Sequence, residues 1–430
     1  MKQIYQQGLK KIKEYSIQKV LHIKGRIFTA IKWIIFSVLS GLIIGLIGTL
    51  FYLATTAATA VRAEYPWLIV LLPLGGVGIV WLYRLFHNEE DTGTNLVLSA
   101  IHSEKEIPIK SAPLIFISTV ATQLLGGSAG REGAALQLGG SIGNALGKLF
   151  RFDEKDQHIM IMCGMSAAFS ALFGTPMASA IFSMEVVSVG IMYYAALVPC
   201  VIASFVAHAV AVGLGASYTS FEIHNIPAFD LKTAILISVL AVGCAAVSIL
   251  FCIVLRKTEK LYNHYLHNTY VRAAAGGALI LILTLLVGNQ NYNGAGIESI
   301  QGFLDGKVIP EAFIMKILFT AVTLGAGYKG GEIIPSFYIG ASFGALFGMI
   351  SGFAPSLCTA VGMGAVFCGV TNCPITSLLI CFELFGYNGM PYYLLAIALS
   401  YMMSGYYGLY SSQKIMYSKY KTTYINRKTH

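Results

Sequence analysis

Glu132 is an acidic residue inside a run of glycines and other small residues. It follows Arg131 in "GGSAGREGAALQLGGSIG" at 126–143, and the chain on both sides of this run is strongly apolar. Glycines let a backbone approach a bound ion closely. A carboxylate at an anion site must leave or take a proton while the anion is bound, because like charges repel. The pattern therefore predicts a site that couples anion occupancy to protonation of Glu132.

The composition indicates a polytopic membrane protein. Of the 430 residues, 56% are hydrophobic and 11% are charged, whereas soluble proteins carry about 25% charged residues. Apolar stretches at 33–60 and 231–255 each exceed the roughly 20 residues that span a bilayer core. Further spans follow the first one, so we do not expect it to be a cleaved signal peptide.

The formal net charge of +9 lies mostly at the two ends of the chain. Residues 1–32 hold eight Lys or Arg and one acid, and the tail from Lys414 holds five with no acid. By the positive-inside rule both termini are predicted to be cytoplasmic, as is a basic loop at 256–272. Topology thus accounts for the basic residues, and we expect no nucleic-acid partner.

The sequence carries no motif of a metal site or of an intramembrane enzyme. Its eight cysteines lie singly, without a CxxC pair or a Cys/His cluster, so we expect buried thiols and neither a metal nor a cofactor. HExxH, GxGD and P-loop motifs are also absent, so enzymatic activity is not expected.

Two halves of the chain repeat each other weakly but in order. "GMSAAFSALFGTPMASAIFSMEV" at 164–186 aligns with "GMGAVFCGVTNCPITSLLICFEL" at 362–384, and "LGGSIGNALG" at 138–147 aligns with "IGASFGALFG" at 339–348. Transporters built from repeats bind their substrates at the repeat interface, where helices are broken. We expect five segments: a basic N-terminal segment 1–32, membrane repeats 33–215 and 232–411, a linker 216–231 between them, and a basic tail 412–430.

Apolar segments are interrupted at matching places in the two repeats. "IFISTVATQLLGG" ends before Arg131, and "ILFTAVTLGAGYKGGEIIP" is interrupted from Lys329 onward. Helices are expected to begin at these breaks, over 131–147 and 333–348, and a third helix follows "TGTNL". Helix N-termini offer free N–H groups and a partial positive charge, so three that converge would bind an anion without a full positive charge.

Small-residue helix packing is the alternative explanation of these glycines. It does not explain Glu132, because an acid inside a membrane is costly and usually functional. Thr94 and Asn95 are expected near the cap of the third helix. Glu332 has two interpretations: a group on a proton path, or a helix cap or ion-pair partner of Lys329.

The chain resembles the CLC family of anion channels and anion/proton antiporters over about residues 33–415. "GREGA" matches the family's "GREG" motif, which implies that Glu132 is the gating and proton-coupling glutamate. "GTNLV" matches a "GSGIP"-like segment, which places Thr94 at the central serine. "GEIIP" matches "GxFxP", which implies that backbone N–H groups of Ile333 and Ile334 face the ion.

The expected anion site also includes Asn95 of the third helix, and Gly133 and Ala134 at the start of the helix over 131–147, and the resemblance adds Tyr410. Tyr410 in "YYGLYSSQKI" matches the family's central tyrosine, which lies near the start of its last helix. From composition alone, Tyr406 and Tyr407 are equally good candidates.

The motifs most resemble those of the fluoride branch of the family. Alanine replaces the proline of "GREGP", "GYKGGEIIP" resembles "GFKGGEVTP", and Val186 stands where chloride/proton exchangers often carry a glutamate. Two positions depart from this branch. The branch has Met or Asn at the position of Thr94, and Thr at the position of Ile334. The implied function is fluoride export in exchange for protons, and a chloride/proton antiporter or a passive chloride channel of the same fold stays open.

The resemblance also implies the fold and the setting. We expect an all-α polytopic CLC-type fold with two inverted repeats of short, tilted and broken helices and one pore per subunit of a homodimer. No CBS domains are expected. The expected location is the bacterial plasma membrane, and the partners are fluoride or chloride, protons and membrane lipid.

Three further polar residues are expected to have structural roles. Arg131 is predicted to pair with a carboxylate or with backbone carbonyls. Glu185 and Glu383 occupy equivalent repeat positions and are predicted to mark helix ends. A proton-relay role for Glu185 is the alternative.

Overall fold

The computed structural model describes residues 2–102, 106–218 and 220–430, with the backbone alone for 2–18 and 20–23. Most side chains of the expected N-terminal segment, and Thr219 in the expected linker, therefore lie outside the described residues.

Sixteen α-helices in the described residues fall into two runs of eight. The first run is α1 (Lys2–Glu64), α2 (Leu72–Leu85), α3 (Thr94–His102), α4 (Ser111–Leu124), α5 (Glu132–Leu149), α6 (Glu154–Phe173), α7 (Pro176–Glu185) and α8 (Leu197–Gly213). The second run is α9 (Leu231–Tyr265), α10 (Thr269–Val287), α11 (Ile297–Leu304), α12 (Ala312–Gly325), α13 (Ile333–Ser351), α14 (Pro355–Thr371), α15 (Pro374–Phe385) and α16 (Met390–Met403).

The two runs match in helix order and, near the glycine breaks, in helix length. Helices α3 and α11 have 9 and 8 residues, α4 and α12 have 14 each, and α5 and α13 have 18 and 19. The predicted N-terminal starts of α5 and α13 are correct to within two residues. A helix of 14 residues is about 21 Å long, too short to cross a core of about 30 Å squarely.

Six of the described helical segments are long and apolar enough to cross a membrane: Lys24–Glu64, Pro66–Leu85, Tyr194–Gly213, Leu231–Tyr265, Thr269–Val287 and Ile333–Ser351. Their outward faces are apolar, as in α10, where Leu285 and Leu286 are 72% and 78% exposed. Inside, α5 packs closely on α6 because Gly139 and Gly164 face each other without side chains, a packing mode typical of membrane helices.

Helices α7 and α15 are linked by two glutamates, each of which lies near the end of one helix and bonds to the start of the other. Glu185, the last residue of α7, accepts hydrogen bonds from the N–H groups of Ile375 (3.1 Å) and Thr376 (2.8 Å) at the start of α15. Glu383, near the end of α15, accepts bonds of 2.9 Å from two N–H groups at the start of α7, those of Met177 and Ala178. Each carboxylate thus satisfies free donors of the other helix, and the prediction of helix-end positions is confirmed.

The basic segment 256–272 is mostly helical, so the prediction of a loop there is wrong. Helix α9 continues to Tyr265 and α10 begins at Thr269, because Lys, Arg and Glu are good helix formers. At its other end α9 is capped by Asp230, whose carboxylate accepts from the N–H of Thr233 at 2.8 Å. That hydrogen bond lowers the pKa of the Asp230 carboxyl.

Three short strands accompany the helices in the described part of the chain. Strand β1 (Ser188–Val189) pairs in parallel with β2 (Lys414–Tyr417), which pairs antiparallel with β3 (Tyr424–Lys428). The sheet fastens the C-terminal segment to the chain that follows α7.

Candidate anion pathway

The two glycine breaks meet as a short antiparallel bridge between the halves of the chain. The N–H of Gly130 donates to the carbonyl of Gly331 at 2.7 Å, and the N–H of Gly331 donates to the carbonyl of Gly130 at 2.8 Å. A Cβ atom at Gly331 would lie 2.5 Å from the backbone N of Gly133, so only glycine fits there. The bridge holds the N-termini of α5 and α13 side by side.

Both helix starts leave backbone donors without helical partners. In α5, the N–H of Ala135 bonds back to Arg131 at 2.9 Å, so the N–H groups of Gly133 and Ala134 have no acceptor along the helix. In α13, the N–H of Ser336 bonds to Glu332 at 3.0 Å, which leaves those of Ile333 and Ile334 in the same state. Four of the predicted anion ligands are therefore free helix-start donors.

The side chain of Glu132 is folded over the start of its own helix. It is fully buried, and its Oε2 accepts from the N–H of Arg131 at 3.0 Å. Its Oε1 has no hydrogen-bond partner among the described residues and lies 3.7 Å from Nε of Arg131. The carboxylate thus lies at the helix end that would attract an anion.

Arg131 is held chiefly by helix α1. Its Nη1 donates to the hydroxyls of Thr55 and Thr56, both at 2.9 Å, and its guanidinium lies 4.6 Å from the ring centre of Tyr52. The predicted partners of Arg131 are both present, a carboxylate in Glu132 at 3.7 Å and a carbonyl in Tyr52 at 3.5 Å, but the hydroxyls of Thr55 and Thr56 make the shorter contacts.

Two cavities flank the position of Glu132. The larger, of about 420 Å³, is lined by Gly133 and Glu332, and the smaller, of about 60 Å³, by Arg131 and Ile334. Glu132 lines neither cavity, and its neighbours in the sequence line one each. Glu132 therefore lies at the point in the chain where the linings of the two cavities meet.

The larger cavity brings together six of the nine predicted site residues: Thr94, Asn95, Gly133, Ala134, Glu332 and Tyr410. Of the remaining three, Ile334 lines the smaller cavity. Glu132 and Ile333 are fully buried between the helix starts.

Thr94 is the first residue of α3 and not its cap. Gly93 precedes it with a φ of +68°, and the N–H of Gly93 donates to Oδ1 of Asp91 at 2.8 Å. The hydroxyl of Thr94 donates to the carbonyl of Gly133 at 3.0 Å. A hydroxyl has one proton, so the donor expected to face an anion is directed at the backbone instead. The side chain of Asn95 also contacts the backbone, since its Oδ1 accepts from the N–H of Ser412 at 3.0 Å.

Tyr410 lies in a non-helical stretch between α16 and β2, so the expectation that it starts a last helix is wrong. The sheet fixes this stretch instead, and Thr429, beside β3, donates its hydroxyl to the carbonyl of Tyr410 at 2.6 Å. Tyr410 is 1% exposed and its hydroxyl has no partner among the described residues. Since buried hydroxyls are nearly always bonded, this one is an available donor at the cavity.

Glu332 makes neither of the structural contacts considered for it. It precedes α13 without a side-chain capping bond, and no ion pair joins it to Lys329 in the described residues. A Cβ atom at Gly133 would lie 3.2 Å from its Oε2, so the carboxylate lies against the start of α5.

Asp91 also belongs to this site, although it was not predicted from the sequence. Its carboxylate accepts from Nε2 of Gln137 at 2.7 and 2.8 Å and from Nδ2 of Asn88 at 2.9 Å. With the bond from Gly93, it is saturated by neutral donors and fixes the start of α3. An Asp two residues before a glycine that opens a helix is a known turn signal.

A model of the family described as "Voltage gated chloride channel" matches residues 75–405. The chain belongs to this family, the CLC family. A "Chloride/fluoride channel protein" of Pseudomonas syringae pv. tomato is 34% identical over 396 residues, which cover 90% of this chain and 88% of the relative. The "H(+)/Cl(-) exchange transporter ClcA" of Vibrio cholerae is 24% identical and covers 81% of each chain.

Solved structures confirm the predicted CLC fold. A CLC-type fluoride/proton antiporter superposes with a TM-score of 0.87 at 29% identity over 90% of this chain and 99% of its own. A slow cyanobacterial Cl⁻/H⁺ antiporter superposes with a TM-score of 0.76 at 18% identity, a likeness of fold alone. The chain is a CLC membrane protein built from two inverted repeats.

Proposed function

We propose that this CLC protein exports fluoride in exchange for protons. The observation that carries the proposal is the position of Glu132, which is folded onto a helix start between two cavities. A relative named for chloride and fluoride, and a structural neighbour that is a fluoride/proton antiporter, support it.

The proposed transport cycle depends on the charge of Glu132. The ionised carboxylate is attracted to the start of α5, where it excludes an anion. A proton removes that attraction, so the neutral side chain leaves. The anion then takes the free N–H groups of Gly133 and Ala134, with those of Ile333 and Ile334 and the hydroxyl of Tyr410 nearby. Its release lets Glu132 return and give up the proton to the other side.

Fluoride suits a site built from small donors. It is compact and strongly hydrated, so its water must be replaced by several close hydrogen bonds. Backbone N–H groups at glycine breaks approach more closely than side chains can. No residue with a full positive charge is needed at this point, which keeps the ion exchangeable.

Substrate choice is tested by competition in proteoliposomes. Purified protein is reconstituted, and efflux of fluoride and of chloride is followed with ion-selective electrodes at equal gradients. We expect faster fluoride efflux and inhibition of chloride efflux by fluoride. Equal or faster proton-coupled chloride efflux would assign the protein to chloride exchange, and chloride efflux without proton movement would make it a channel.

Thr94 is proposed to tune the choice of halide. A Thr94→Met variant loses the hydroxyl and fills part of the cavity with an apolar thioether. Chloride is larger than fluoride and should suffer first, so we expect a higher ratio of fluoride to chloride flux. Thr94→Ser keeps the hydroxyl bonded to Gly133 and should leave the ratio nearly unchanged. An unchanged ratio in Thr94→Met would show that Thr94 serves the helix start only.

Glu332 is proposed to carry protons between the larger cavity and Glu132. Since Val186 leaves the usual internal glutamate position apolar, Glu332 is the acidic side chain of this cavity that lies against the start of α5. We expect Glu332→Gln to slow coupled exchange by about a hundredfold, the low end for loss of a proton-transferring group. Glu311→Gln, an exposed acid outside the cavity, is the control. Proton flux equal to wild type in Glu332→Gln would remove Glu332 from the path.

The assembly and orientation are proposed as well. We propose a homodimer in the bacterial plasma membrane with both termini cytoplasmic and with the five segments expected from the repeat. Labelling of single cysteines, introduced near residue 24 and near residue 421 in a variant without the eight native thiols, reports the side of each end. Labelling of either position from outside intact cells would contradict this topology.

A further inference from the structure

The larger cavity is lined by charged residues of both signs: Arg84, Arg256, Arg272 and Lys329, with Glu89, Asp91, Glu259 and Glu332. Most of the cations are engaged by neighbours. Arg84 lies 3.6 Å from Glu89 at the exposed rim, and Arg256 donates to the carbonyl of Gly408 at 2.6 Å.

Lys329 differs from these arginines in its contacts. Its Nζ donates to the backbone carbonyl of Asp91 at 3.2 Å and lies 4.4 Å from the ring centre of Tyr83. Among the described residues no carboxylate lies within 4.0 Å of it. An ammonium group has three donors, so at least one is left for the cavity.

The side-chain carboxylate of Asp91 does not form an ion pair with Lys329. Asp91 is saturated by Gln137, Asn88 and Gly93, and it meets Lys329 through its backbone carbonyl only. The ammonium charge therefore stays available inside a partly enclosed space, where walls of low dielectric strengthen its field.

The chain places Lys329 immediately before the helix starts. A left-handed turn at Gly327, with a φ of +101°, ends the approach from α12, and Lys329 precedes Gly331 of the interrepeat bridge by two residues. Lys329, Gly133 and Glu332 all line the larger cavity, so an ion held at Lys329 shares that space with the start of α5.

We propose that Lys329 is the capture group of the larger cavity: it holds an incoming anion there before the anion reaches the starts of α5 and α13. The inference rests on the proposed anion transport. We expect the anion to be held only weakly, because the ammonium group also contacts a carbonyl and a ring. The carboxylates of Asp91 and Glu332, which line the same cavity, repel the anion and favour its dissociation.

The test measures the fluoride concentration that half-saturates transport, separately from the maximal rate. For Lys329→Met we expect the half-saturating concentration to rise about tenfold at low ionic strength, the low end of what a charged cleft contributes. The maximal rate should stay within about twofold, since the helix-start donors are intact. At about 1 M salt the difference should shrink, because the Debye length falls to about 3 Å.

Two matched variants separate charge from packing. Lys329→Arg keeps the charge and should stay near wild type. Lys110→Met also removes a lysine that bonds backbone carbonyls, those of Phe86 and His87 at 2.8 and 2.7 Å, but Lys110 does not line the cavity, so it should match wild type. If Lys329→Met does not fold, Lys329→Gln is used as the test variant, because it keeps a donor for the backbone carbonyl of Asp91.

A double variant distinguishes capture from simple compensation of the Asp91 charge. If Lys329 only balances Asp91, then Lys329→Met with Asp91→Asn restores the wild-type half-saturating concentration, and the inference is wrong. Capture predicts that the double variant stays impaired relative to Asp91→Asn alone. A half-saturating concentration unchanged in Lys329→Met would also overturn the inference and leave the proposed function intact, whereas a wild-type protein that carries no anion would overturn both.

Discussion

Glu132→Gln is expected to abolish proton-coupled exchange while anion binding or slow uncoupled anion movement remains. Glutamine keeps the shape of the side chain and one acceptor for the N–H of Arg131, the bond made by Oε2 in the wild-type protein. It cannot be charged or carry a proton across the gate. The number of protons moved per anion should therefore fall to background, as measured with pH and fluoride electrodes in the same vesicles.

Glu383→Gln is the matched control for this prediction. Glu383 is another carboxylate that accepts helix-start N–H bonds, at 2.9 Å each from Met177 and Ala178, but it lines neither cavity. Its loss should lower thermal stability and leave the coupling ratio unchanged. If Glu132→Gln still moves protons uphill at the expense of a fluoride gradient, the role assigned to Glu132 is wrong.

Gly331→Ala is expected to stop transport without unfolding the protein. The new Cβ atom would lie 2.5 Å from the backbone N of Gly133 and 3.3 Å from that of Glu132. The bridge to Gly130 must open, so the two helix starts move apart. A displacement of about 1 Å can cost about a hundredfold in rate where groups must be precisely placed, and we expect a loss of at least that size in coupled fluoride flux.

Gly78→Ala controls for the general effect of adding a methyl group to a membrane helix. Gly78 lies in α2, and a Cβ atom there meets nothing within 4 Å, so the variant should transport like wild type. Elution as a monodisperse peak, with thermal unfolding near that of wild type, shows that Gly331→Ala is folded. Near wild-type flux in a folded Gly331→Ala protein would show that the bridge is not needed for transport.

The sequence was sufficient to predict the parts of the site that are local. Glycine breaks at matching repeat positions predict the starts of α5 and α13, and an acid beside one break predicts a carboxylate at a helix start, where Glu132 lies buried. These features depend on neighbours within a few residues, on free N–H groups at helix starts and on the cost of a membrane carboxylate. The repeat also predicts which segments of the two halves correspond, because similar motifs follow one another in the same order in both halves.

Contacts between distant segments could not be predicted in this way. The pairing of Gly130 with Gly331 joins residues about 200 positions apart, and nothing in either run specifies it. The hydroxyl of Thr94 bonds to Gly133, a partner that only the packing of α3 against α5 supplies. Tyr410 was expected at a helix start, but a sheet formed with β1 holds its segment. Lys329 was considered as a partner of Glu332, whereas the fold turns it toward Asp91 and Tyr83.

The direction of proton movement during fluoride efflux tests the central claim most directly. Vesicles loaded with fluoride, with the voltage clamped by potassium and valinomycin and no initial pH gradient, are diluted into fluoride-free buffer. Exchange predicts that protons enter as fluoride leaves, so the external solution becomes alkaline, and that Glu132→Gln vesicles do not show this change. Fluoride efflux through the protein with no proton movement, or with external acidification as when hydrogen fluoride leaks out, would contradict the account.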